Sequence, residues 1–67
     1  MSVVKCIEII AESDVSWEAA AQDAVNEAAK TVDNINQVYI DYFKAVVKDN
    51  KIVGYSVNTK VSFVVKK

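Results

Sequence analysis

The chain has 67 residues, with eight lysines against nine acidic residues, a net charge of −1, and neither arginine nor histidine. This length accommodates one small domain, here residues 1–67, and excludes a multi-domain enzyme. The balanced charge without arginine argues against nucleic-acid binding. A single cysteine and the lack of histidine exclude a disulfide framework and zinc-finger spacing.

The apolar residues, 52% of the chain, are distributed in short runs. This composition is typical of a packed globular domain and argues against disorder. The runs are too short for a transmembrane helix, and residues 1–5 lack the basic region and apolar core of a signal peptide. We therefore expect a soluble, cytoplasmic protein that contacts no membrane.

The first half of the chain contains two segments with different periodicity. Val3–Ile10 is dense in β-branched side chains and predicts a first strand. Trp17–Val32 carries apolar side chains at spacings of three and four, which predicts a helix with one buried face, and Ser16 is suited to its N-cap. Because that face is mostly alanine, the helix can lie close against a sheet.

The second half predicts a β-hairpin. Gln37–Val47 and Ile52–Val65 are rich in strand-forming residues, and Asp49-Asn50 between them tolerates the positive φ angles of a two-residue turn. Apolar and polar residues alternate in the last run, so the helix is expected to cover one face only. A solvated strand edge is predicted for four lysines, with a phosphate or a neighbouring subunit's carboxylate as the alternative partner: Lys44, Lys48, Lys51 and Lys60.

The order of these elements predicts an α+β protomer with β-α-β-β topology. Its three-stranded antiparallel sheet has the order 1-3-2, with one helix packed on one face. The hairpin strands extend roughly 36 to 48 Å at about 3.3 Å per residue. One helix cannot cover that length, so we expect copies of the chain to cover one another.

Several segments resemble the dodecin family over nearly the whole chain. They are Val4–Ser13 with its Glu-Ser end, Ser16–Ala20 with its Ser-Trp-Glu start, Ala24-Val25, Thr31-Val32 and Val57–Phe63. The resemblance implies a helix lying on a strongly bent sheet and a hollow shell of twelve protomers, a homododecamer. It also implies non-enzymatic binding of a flavin, riboflavin or FMN, for storage or sequestration.

The flavin site implied by this resemblance is altered here. In flavin-binding dodecins, a tryptophan near the start of the second strand stacks on the isoalloxazine, and a glutamine on the third strand binds its polar edge. Gln37 and Ser56 occupy those positions in this sequence, while Tyr39 and Tyr42 supply a different aromatic surface. We therefore expect any flavin pocket to be a changed one, built around Gln37, Tyr39, Lys44 and Ser56.

The same departures bring the sequence nearer to the flavin-free branch of the family, which includes calcium-containing dodecins. With regular alternation, Glu8, Asp41, Ser56 and Asn58 all point away from the helix. Calcium takes six to eight oxygen ligands, so Glu8, Asp41 and Asn58 form a candidate metal site, especially where copies meet. The alternative is that these residues are simply solvated inside the shell, since no EF-hand spacing is present.

Two functional hypotheses therefore stand. One is a non-enzymatic shell that binds flavin in the changed pocket, and the other is a flavin-free structural or calcium-binding shell. Both make other copies of the chain and a small ligand or metal ion the only partners. Catalysis is not expected, because the acidic pairs fall in the helix cap region and on its solvated face rather than in a cleft.

Overall fold

The computed structural model describes residues 2–66. Its elements are β1 (Val3–Ser13), α1 (Trp17–Ala28), β2 (Ile35–Lys48) and β3 (Lys51–Lys66). The strands form one antiparallel sheet in the order β1-β3-β2, and α1 packs on it. This confirms the predicted α+β topology and sheet order. The predicted domain, residues 1–67, includes Met1 and Lys67, which lie outside the described residues.

The core lies between α1 and the central strand. Ala20, Ala24 and Ala28 are buried on the helix, opposite Val57 and Val61 of β3. Alanine has no side chain beyond Cβ, so a helix with an alanine face lies close to the sheet. The centre of the sheet is therefore sealed by a helix of only twelve residues.

The N-terminus of α1 is capped as the sequence predicts. The Ser16 hydroxyl oxygen accepts a hydrogen bond from the Ala19 N–H at 2.9 Å, while Ser16 itself is extended. This bond satisfies one of the N–H groups that have no partner within the helix. No helix within residues 2–66 is long and apolar enough to span a membrane.

The helix ends at Ala28, whereas the periodicity predicted an end at Val32. The N–H groups of Lys30 and Thr31 donate to carbonyls three residues back, so the chain tightens into a 3₁₀-type turn. Asn34, with a φ of 64°, then leads into β2. Val32 still packs against the core, which explains why the apolar spacing extends beyond the helix.

The hairpin of β2 and β3 extends beyond the helix. Asp49 and Asn50 both have positive φ, 52° and 62°, which confirms the predicted two-residue turn. Every residue from 41 to 53 is exposed, and the molecule measures 51 × 19 × 13 Å. The far half of the hairpin therefore lacks cover from the described part of its own chain.

Trp17 joins the start of α1 to this hairpin. Its indole Nε1–H donates to the Lys44 carbonyl at 2.9 Å, and its ring meets Tyr55 and Phe43 edge-on, with centroids 4.9 and 5.9 Å away. Each such aromatic pair contributes about 0.5–1.5 kcal/mol beyond area burial. Trp17 is therefore a structural anchor that holds the start of α1 against the hairpin strands.

Replacing Ser16 with alanine should lower the free energy of unfolding by about 1 kcal/mol, because the Ala19 N–H loses its acceptor. Denaturant unfolding followed by circular dichroism at fixed protein concentration measures this change. Ser16→Asp, which keeps an acceptor at the N-cap, should remain close to the wild type. Equal losses in both variants would contradict the capping role.

Candidate functional site

The sheet face opposite α1 carries two neighbouring rows of side chains with polar groups at their centre. In the first row, Lys60 of β3 lies between Glu8 of β1 and Tyr39 of β2. In the next row, Asn58 of β3 lies opposite Tyr42 of β2. Because directly opposite residues of antiparallel strands point to the same face, these groups share one surface.

A β-bulge in β2 occurs at Asp41, which lines this surface. Ile40 pairs with Thr59 and Tyr42 pairs with Asn58, so Asp41 is the extra residue between two consecutive pairs. Its Oδ2 lies 3.8 Å from Nζ of Lys60. A second carboxylate therefore lies near Lys60, and the extra residue places Tyr42 on the same face.

These residues line a groove of about 450 Å³ on the face opposite the helix. Its walls are formed by Glu8, Ile9, Ile10, Asp41, Tyr42, Asn58, Thr59 and Lys60. All three residues of the sequence-predicted metal site, Glu8, Asp41 and Asn58, are among them. Asn58 also has a buried side-chain oxygen, Oδ1, with no hydrogen-bond partner. A buried acceptor in this state costs about 1–3 kcal/mol, which a cation or a donor in the groove would offset.

The groove residues provide the kind of ligand atoms that calcium binds, but fewer of them than calcium takes. Glu8 and Asp41 contribute carboxylates and Asn58 an amide oxygen, all of them hard ligands. Within residues 2–66, no three His, Cys, Asp or Glu side chains cluster closely enough to hold a metal ion. One protomer therefore offers only some of the six to eight oxygen ligands that a calcium ion takes.

The four residues predicted around flavin form two separate pairs in the protomer. The Tyr39 hydroxyl donates to Oε1 of Gln37 at 2.6 Å, and Lys44 lies opposite Ser56. Gln37 pairs with Ser62, which is about 20 Å from Ser56 at about 3.3 Å per residue of strand. Ser56 is also only 5% exposed. A flavin pocket that used all four residues would have to combine them from different copies.

Sequence reasoning missed the importance of Lys60. It was predicted on a solvated edge, but β3 is the central strand, and Lys60 lines the groove between Glu8 and Asp41. The polar alternation of β3 shows which face Lys60 occupies. Only the strand register, with Glu8 directly opposite Lys60, shows which acids surround it.

The comparison with known proteins agrees with this architecture. A family model described as dodecin matches residues 3–66. The chain belongs to the dodecin family. It is 42% identical over 63 residues to calcium dodecin of Mycobacterium tuberculosis, covering 94% of this chain and 89% of that protein.

Solved structures of dodecins have the same fold. A variant of Thermus thermophilus dodecin superposes with a TM-score of 0.89 over 100% of both chains, at 24% identity, which supports the fold alone. The crystal structure of Mycobacterium tuberculosis calcium dodecin, described as calcium chelating with a novel calcium-binding site, gives a TM-score of 0.79 at 37% identity. That match covers 92% of this chain and 89% of the other.

Proposed function

We propose that this chain is a non-enzymatic dodecin that binds calcium and assembles into a closed homo-oligomeric shell. The observation that carries the proposal is the groove, in which two carboxylates and an unpartnered amide oxygen line one space: Glu8, Asp41 and Asn58. The relative that is 42% identical is named calcium dodecin, which favours the same ligand. Calcium takes oxygen ligands of the kind that this groove offers.

The exposed apolar surface supports assembly. Large apolar side chains are exposed on both hairpin strands, including Phe43, Val46, Val47, Ile52 and Val53. Burying apolar surface contributes about 25 cal/mol per Å², so covering the hairpin with other copies is strongly favourable. Contact between copies also brings a second set of groove oxygens within reach, which the partial coordination sphere of one protomer requires.

Flavin binding is a second candidate, and it rests on two exposed aromatic rings. Tyr39 and Tyr42 are 50% and 66% exposed and lie on the same sheet face as the groove. They offer an aromatic surface in place of the tryptophan that the family resemblance implies. Calcium is the better-supported ligand, because Gln37 has no ring to stack and Ser56 is buried.

Native mass spectrometry should show a dominant homo-oligomer, and the resemblance to dodecins sets the expected mass at about twelve times the 7.4 kDa of the chain. The physical reason is the uncovered apolar hairpin. A dilution series checks that the assembly persists at low concentration. A stable, folded monomer as the main species would contradict the proposed shell.

Calorimetric titration of chelator-treated protein with calcium should show binding. Glu8→Gln and Asp41→Asn should each weaken that binding about tenfold or more, because each substitution removes a charged ligand. Glu27→Gln is the matched control, since it makes the same charge change on the exposed helix surface, where Glu27 pairs with Lys30. An equal loss in the control would show that net charge alone attracts the ion. Absence of binding in the wild type would contradict the calcium proposal.

Gln37→Trp should increase riboflavin affinity roughly two- to tenfold, the gain expected from one aromatic stacking contact of about 0.5–1.5 kcal/mol. Quenching of riboflavin fluorescence measures the affinity, and Gln37→Leu controls for added apolar area without a ring. Equal affinity in the two variants would contradict the stacking position assigned to residue 37. Tight quenching by the wild type would favour flavin as the ligand.

A further inference from the structure

We infer that Lys60 limits the metal affinity of the groove: its ammonium is a built-in counter-cation that competes with a bound metal ion for Asp41. The inference rests on the proposed calcium function, because it concerns the same groove. It adds a role for a residue that carries no metal-ligating atom.

The position of Lys60 supports this role. It lies on the central strand, directly opposite Glu8 on one side and Tyr39 on the other. Its Nζ is 3.8 Å from Oδ2 of Asp41, a carboxylate from the bulge. Among the described residues that line the groove, Lys60 alone is positively charged. A metal ion that binds Asp41 must therefore displace this ammonium or accept its repulsion.

The pair is weak enough for an ion to displace it. The side chains of Lys60 and Asp41 are 47% and 37% exposed, and water screens the attraction between such groups. An exposed pair of this kind changes an equilibrium constant by at most about fivefold. Repulsion between the ammonium and a divalent ion adds to that effect, so Lys60 lowers the calcium affinity without abolishing it.

Removing the charge should therefore strengthen binding. Calorimetric titration with calcium should show Lys60→Gln binding about five- to tenfold more tightly than the wild type, whereas Lys60→Arg, which keeps the charge, should remain near it. Lys51→Gln, an exposed residue at the hairpin turn, is the control for net charge. Lys60→Met serves as a second neutral variant, and native mass spectrometry verifies that each variant assembles like the wild type.

Terbium provides a second readout that is independent of binding heat. Tyr42 lines the groove, so its ring can sensitise luminescence from a terbium ion bound there. The terbium concentration at half-saturation should fall in Lys60→Gln, whereas the same substitution made in the Asp41→Asn variant should give a much smaller gain. Persistence of the full gain without the Asp41 carboxylate would overturn competition for Asp41.

The outcomes separate this inference from the proposed function. Calcium binding that is equal in the wild type, Lys60→Gln and Lys60→Met would overturn the competition while leaving calcium as the ligand. Binding in the neutral variants alone would support the competition and overturn calcium as the ligand of the native groove. A gain in calcium affinity of the same size in Lys51→Gln would overturn the competition in favour of a general charge effect. No binding in any variant would overturn both.

Discussion

The central strand is much longer than the helix that covers it. β3 has sixteen residues and so spans about 50 Å, whereas the twelve residues of α1 span about 18 Å. The alanine face seals the sheet where Val57 and Val61 meet it, and the strand then continues beyond any cover. A chain built this way leaves residues 41–53 exposed. The proposed assembly would remove this hairpin from water, and the groove lies at its base.

The protomer fold was largely predictable because local signals and burial agree. Alternation in the last strand, the Asp49-Asn50 turn and the alanine spacing of the helix agree on a hairpin with one helix on one face. A crossover that skips one position then gives the order 1-3-2. The end of the helix was not predictable. Val32 continues the apolar spacing, but it packs against the core from the turn that follows the helix. Periodicity alone does not distinguish a last helical turn from a 3₁₀ turn that packs on the same core.

The groove was predictable in part. Glu8, Asp41 and Asn58 follow simple alternation, so their shared face could be read from the sequence. The bulge at Asp41 could not, because no glycine or other local signal marks it. Strict alternation would place Tyr39 and Lys44 on opposite faces, yet the extra residue returns them to one face. The register that puts Lys60 opposite Glu8 depends in turn on the pairing of whole strands, which has no signature at either residue.

The family fold by itself does not decide the ligand, because the shared scaffold determines only where side chains are displayed. A flavin requires a broad ring surface and free polar groups at its edge. Here the side-chain oxygen Oε1 of Gln37 already accepts a hydrogen bond from the Tyr39 hydroxyl, and Ser56 is buried. A hard cation requires closely placed oxygens, and Asp41 provides a second carboxylate that lines the groove with Glu8. Two carboxylates in one groove repel each other unless a positive charge lies nearby. In the protomer Lys60 supplies that charge, so the groove is already organised around a cation before any metal ion binds.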